Sequence, residues 1–149
     1  MARTILFSYI KAVDFKYGKA ETPIDKFRSS LRTYLQPEMR KFKRGWIKNN
    51  PYSAISGEIV DVSNSHVDHH GSFEFRDIFS YFCHHESVDF DNIQYVETIN
   101  GCVCTDDELL AIFQMYHDAL CELRVITVDE NLTKSKITPH TIKKGKGHE

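Results

Sequence analysis

The sequence predicts a single α+β domain. Short stretches of period-two alternation are interleaved with amphipathic stretches of helical period, and neither an internal repeat nor a domain boundary interrupts the 149 residues. The composition, 41% hydrophobic and 12% aromatic, is that of an ordinary globular chain able to bury a core without staples.

The elements follow in order. Residues 1–22 hold a strand at 3–17, because the apolar run Ile5–Ile10 lacks the charged start, long core and cleavage site of a signal peptide. Thr22 caps a helix with Pro23 at its first position, and Ile24, Phe27, Leu31, Tyr34 and Leu35 form its apolar stripe. Pro37 punctuates that helix, and a second, over 37–48, sets Met39, Phe42 and Trp46 against Arg40, Lys41, Lys43, Arg44 and Lys48. These basic helices span 23–50. A turn at Ser56-Gly57 leads to a short strand, Glu58–Val62, and a polar loop leads to His66-Val67-Asp68-His69-His70. A helix is expected over 73–85 with Phe75, Ile78, Phe79 and Phe82 inward, then a strand within 92–99. Thr105–Glu108 reads as a capping box before the stripe Leu109, Ile112, Phe113, Tyr116 and Leu120. Leu123–Val128 is a strand and 129–136 a short helix, stopped by Pro139; residues 137–149 form a flexible basic tail.

No apolar run reaches the length of a membrane span, so no membrane partner is expected. Four cysteines without an export signal read as reduced thiols, which makes cytoplasm the expected compartment. Net charge is only −2, but its distribution is uneven. Residues 1–57 hold 12 Lys or Arg against 4 acids, residues 58–130 hold 2 against 16, and residues 131–149 hold 5 Lys against Glu149. Basic flanks suit phosphate, and a carboxylate-rich centre suits a divalent cation; solvated helix faces give the same pattern.

Phosphodiester hydrolysis needs a cation, a base for water and an anchor for the backbone. Asp68 supplies a hard ligand for a cation, and the adjacent His69 supplies an imidazole able to accept a proton near neutral pH. His70 can contact phosphate or complete the metal shell, and His66 sits two residues before Asp68, where strand alternation places both on one face. His117 packs beside this layer or bonds a backbone group.

His66-Val67-Asp68-His69 resembles the first strand of the strand-strand-helix metal fold of His-Asn-His nucleases, and residues 124–134 resemble its second strand and helix. The likeness extends to the branch named for defective chloroplasts and leaves, with members in plants, bacteria and phages. It is carried by an Arg-rich helix, Ser53–Gly57, His66–His69 with Phe75, Tyr116-His117, and Leu123-Arg124 leading to Asn131, over roughly residues 25–135.

The resemblance implies an HNH-like ββα-metal core over 51–136 with a helix-strand-helix insertion at 72–122. It implies Asp68 and Asn131 as ligands of Mg²⁺ or Mn²⁺, His69 as general base and Lys134 as a phosphate contact, beside Arg40, Lys41, Lys43 and Arg44. Products would carry 5′-phosphate and 3′-hydroxyl ends. Ser53 stands where many relatives have a zinc-binding Cys, and Cys102-Val103-Cys104 has the wrong spacing, so no structural zinc is expected. Another register uses Asp91–Val96 as the second strand, with Asn92 or Asn100 in the metal shell. Read without the resemblance, Asn131 is a helix cap and Lys134 a solvated side chain. The expected function is a metal-dependent endonuclease acting on nucleic acid, DNA in preference to RNA; the rivals are a non-catalytic nucleic-acid-binding module, on structured RNA for instance, and a regulatory interaction protein.

Overall fold

A computed structural model describes residues 21–136, without the side chains of Ser135 and Lys136. The strand expected at 3–17 and the basic tail lie outside the described residues. The architecture is mixed α+β: α1 (Pro23–Asn49), β1 (Ser65–His69), α2 (Phe75–His85), a 3₁₀ turn (Phe90–Asn92), β2 (Tyr95–Thr98), β3 (Gly101–Cys104), α3 (Asp107–Leu120), β4 (Leu123–Thr127) and α4 (Val128–Lys136). No described helix is long and apolar enough to cross a membrane.

The expected pair of N-terminal helices is one helix. Thr22 Oγ1 accepts from Asp25 N at 3.1 Å to cap it, and α1 then continues through Pro37 without a break. A proline inside a helix costs about 3 kcal/mol, but burying a leucine returns about 1.5–3 kcal/mol, and the turns before Pro37 are held by the buried Leu31 and Leu35.

The chain divides into two compact units. Of the described residues, the first takes 21–34 with Val88–Leu110. Its hairpin pairs β2 with β3, from Tyr95↔Cys104 to Thr98↔Gly101. The strand expected within 92–99 begins only at Tyr95, because Asp89 caps the 3₁₀ turn by accepting from Asp91 N. Asp106, not Thr105, caps α3, its Oδ1 accepting from Leu109 N at 3.1 Å. Phe27, with its ring edge-on to Phe90, is fully buried here.

The second unit comprises, of the described residues, Leu35–Ser87 and 111–136. Here β1 pairs antiparallel with β4, Asp68 opposite Arg124 and His66 opposite Ile126, and α4 follows β4 directly. The alternative register is thus not adopted: β1 has Leu123–Thr127 as its partner strand. Phe75, Ile78, Phe79 and Phe82 of α2 are buried, with Phe82 edge-on to Phe113 of α3 at 5.3 Å between ring centres. The strand expected at 58–62 shrinks to one bridge, Tyr52↔Ile59. Asp61 Oδ1 accepts from Ser63 N and Asn64 N and bends the chain there, so the ladder cannot continue.

Candidate functional site

Strand alternation sorts the side chains of β1 onto two faces. His66 and Asp68 turn toward α4. Asp68 is 5% exposed, and its carboxylate accepts from Arg124 Nε at 2.8 Å and from Lys134 Nζ at 2.6 Å. Arg124 is delivered by the register of β4, and Lys134 by the second turn of α4. The Lys134 ammonium also donates to the His69 carbonyl at 3.0 Å and pairs with Glu74 Oε1 at 3.0 Å. One turn earlier on α4, Asn131 Nδ2 donates to His66 Nδ1 at 2.9 Å. Sixty-odd residues of intervening chain separate the members of each pair, yet His66, Asp68, Asn131 and Lys134 converge.

What holds α4 in this position is a reciprocal cap. Thr127 N donates to Glu130 Oε1 at 2.8 Å and Glu130 N to Thr127 Oγ1 at 3.0 Å. Ser53 Oγ donates to the same Glu130 oxygen at 2.5 Å and ties the 53–57 turn to the helix. Burial would raise the Glu130 pKa, but the bonds from Ser53 and Thr127 outweigh it and bring it down to about 2. Asn131, read without the family likeness as a cap, is therefore not the cap; Thr127 is.

His69 leaves the opposite face of β1. Its Nε2 lies 2.9 Å from His117 Nε2, one ring donating and the other accepting according to tautomer, and its ring meets Phe75 edge-on at 5.5 Å. His117, 1% exposed, has its Nδ1 3.7 Å from Glu38 Oε2 and 3.8 Å from Asp118 Oδ1. Burial pushes the His117 pKa down, against the raising pull of those two carboxylates. The His69 and Asp68 side chains, neighbours in sequence, thus enter different networks, joined through Lys134 at the His69 carbonyl.

Of the other expected residues, His70 is half-buried beside this site, its N–H donating to Glu122 O at 2.9 Å. Arg40, Lys41 and Arg44 are exposed on α1. Lys43 differs: its ammonium donates to the carbonyls of Val62 at 3.0 Å and Ser65 at 2.7 Å, anchoring the start of β1. Asn92 belongs to the first unit, where its amide donates to Asp89. Sequence reasoning gave no role to Arg124, Glu74, Glu130, Glu38 or Asp118. Strand register alone would have found Arg124, directly opposite Asp68; nothing in the spacing of Glu38 and His117 announces their meeting.

The donor set tests the expected cation. Asp68 and Asn131 carry hard oxygens, which suit Mg²⁺ or Mn²⁺, and the His66 imidazole nitrogen near the same face is a donor that Mn²⁺ takes more readily than Mg²⁺. The Asp68 carboxylate is at the same time engaged by two side-chain cations, so metal binding there requires Lys134 or Arg124 to give way. No family model matches the chain, and comparison with curated proteins and with solved structures gave no match.

Proposed function

We propose that this protein is a metal-dependent endonuclease of the His-Asn-His kind, hydrolysing nucleic-acid phosphodiester bonds, DNA in preference to RNA. The observation that carries the reading is the β1–β4–α4 arrangement, which gathers His66, Asp68, Asn131 and Lys134 beside the strand that bears His69. When bound, Mg²⁺ or Mn²⁺ would neutralise charge on the phosphate and the leaving 3′-oxygen. Asp68 and Asn131 would hold it, with His66 as a third donor. His69 would take a proton from the attacking water at a ring nitrogen while its other ring nitrogen is held by a neighbour. Lys134 and Arg124, freed from Asp68 as the cation takes their place, would turn to the phosphate oxygens, and the exposed Arg40, Lys41 and Arg44 would track the backbone.

A second reading, a nucleic-acid-binding module without catalysis, is favoured by the pairing of Asp68 with both Arg124 and Lys134, an arrangement that needs no metal to balance the carboxylate. Incubation of supercoiled plasmid with Mg²⁺ or Mn²⁺, with and without EDTA, separates the two. Metal-dependent, EDTA-sensitive cutting supports the nuclease; binding without cutting of DNA or RNA under either metal supports the module.

A further inference from the structure

Glu38, His117 and Asp118 lie beyond the residues the proposed reaction uses, and their geometry is not that of a hydrogen-bonded cluster. His117 is 1% exposed, and its Nδ1 is a buried atom with no hydrogen-bond partner among the described residues. That nitrogen is aimed at two carboxylates, with Glu38 Oε2 at 3.7 Å and Asp118 Oδ1 at 3.8 Å. Both separations exceed a hydrogen bond. They suit two ligands that each stand about 2.0–2.2 Å from a shared ion. All three donor atoms lie within 4.8 Å of one another, so a small closure brings them onto one centre.

The surroundings are those of a ligand set held from outside. Gln114 Nε2 donates to Glu38 Oε1 at 3.2 Å, to Glu38 Oε2 at 3.4 Å and to Asp118 Oδ1 at 2.8 Å, keeping two like charges side by side. The other nitrogen of His117 is fixed by His69, which orients the ring.

We propose that Glu38, His117 and Asp118 bind a first-row transition-metal dication such as Zn²⁺ or Mn²⁺, through His117 Nδ1 and one oxygen of each carboxylate. An imidazole with two carboxylates favours such ions over Ca²⁺ and Mg²⁺, which prefer oxygen alone. A metal on Nδ1 places the hydrogen of the neutral His117 ring on Nε2, so that His117 donates to His69 Nε2.

The experiment is titration of the full chain with Co²⁺, followed by displacement with Zn²⁺, in wild type, in the Glu38→Gln/Asp118→Asn double variant and in Asp68→Asn. Glu38 and Asp118 have side chains 44% and 62% exposed, so the double variant keeps its fold, checked by circular dichroism. Wild type should show ligand-field absorption without a thiolate charge-transfer band. Affinity should fall at least about tenfold in the double variant, since even residues that merely support a ligand cost that much, and should persist in Asp68→Asn. Identical titrations in wild type and the double variant, a thiolate band, or equal loss in Asp68→Asn would each overturn the assignment. Because cleavage is not read, its failure leaves the nuclease proposal standing, and failure of the nuclease leaves this site standing.

Discussion

On the α4 side of β1, Asp68 sits between two cations at 2.8 and 2.6 Å, and its charge is balanced by atoms already in place. On the α2–α3 side, His69 meets His117, and His117 faces two carboxylates it does not reach. The Asp68 carboxylate is fully paired, whereas the buried Nδ1 of His117 has no hydrogen-bond partner among the described residues. A carboxylate held by two cations fixes geometry and must release one of them before it takes a metal ion, whereas the His117 imidazole can take a proton or an ion with less rearrangement. The same five-residue strand therefore presents a stable anchor on one face and a responsive group on the other.

The anchor is broken most severely by Asp68→Ala, which removes the carboxylate that Arg124 and Lys134 share and leaves Lys134 only Glu74 as an ion-pair partner among the described residues. Breaking a buried pair costs about 3–5 kcal/mol; both cations are partly exposed, so about 2–3 kcal/mol is expected from urea denaturation. Lys134→Met leaves Arg124 as partner and should cost less. Loss of stability in Lys134→Met equal to that in Asp68→Ala would show that Lys134 carries the whole network.

Next in size is Lys43→Met, which removes the tie from α1 to the carbonyls of Val62 and Ser65 and should cost about 1.5 kcal/mol. Thr127→Ala removes the α4 cap and should cost about 1 kcal/mol. By contrast, neutralising the exposed Arg40, Lys41 and Arg44 should change stability by no more than about 0.5 kcal/mol. It should reduce the salt slope of nucleic-acid binding by about 0.9 for each phosphate that these side chains neutralise. An unchanged slope would leave these residues as a solvated face.

Acid titration sharpens the comparison between faces. The His117 pKa is lowered on folding, so its stabilising contribution is complete above the usual 6.5 and is lost as pH falls from there through the depressed value. Glu130, brought from 4.5 to about 2, contributes fully above pH 4.5 and loses its contribution as pH falls through about 2. Between pH 6.5 and 4.5 a His117→Gln variant should therefore show a flatter stability curve than wild type, while Glu130→Gln should differ in slope only below that window.

The parts of this architecture legible in the sequence were those encoded locally. Thr22 and the stripe Phe27, Leu31, Leu35 announce the start of α1, and the phenylalanines of α2 announce its buried face. Pro37 misleads because its local cost is outweighed by the packing of the turns around it. The strand at 58–62 misleads because its alternation is overridden by the Asp61 turn. In the site, spacing placed His66 and Asp68 on one face, and the strand expected at 123–128 and the short helix after it are observed as β4 and α4. Side-chain partnerships were not legible. The ion pairs of Asp68 span 56 and 66 residues, and the approach of Glu38 to His117 depends on the packing of two helices.

The most direct test of the central claim is cleavage of supercoiled plasmid in Mg²⁺ or Mn²⁺ by wild type and His69→Ala, with folding and DNA affinity measured on both. Loss of a general base removes about 10²- to 10⁴-fold in rate, and the account predicts a loss in that range with fold and affinity retained. Cutting by His69→Ala at the wild-type rate would contradict it.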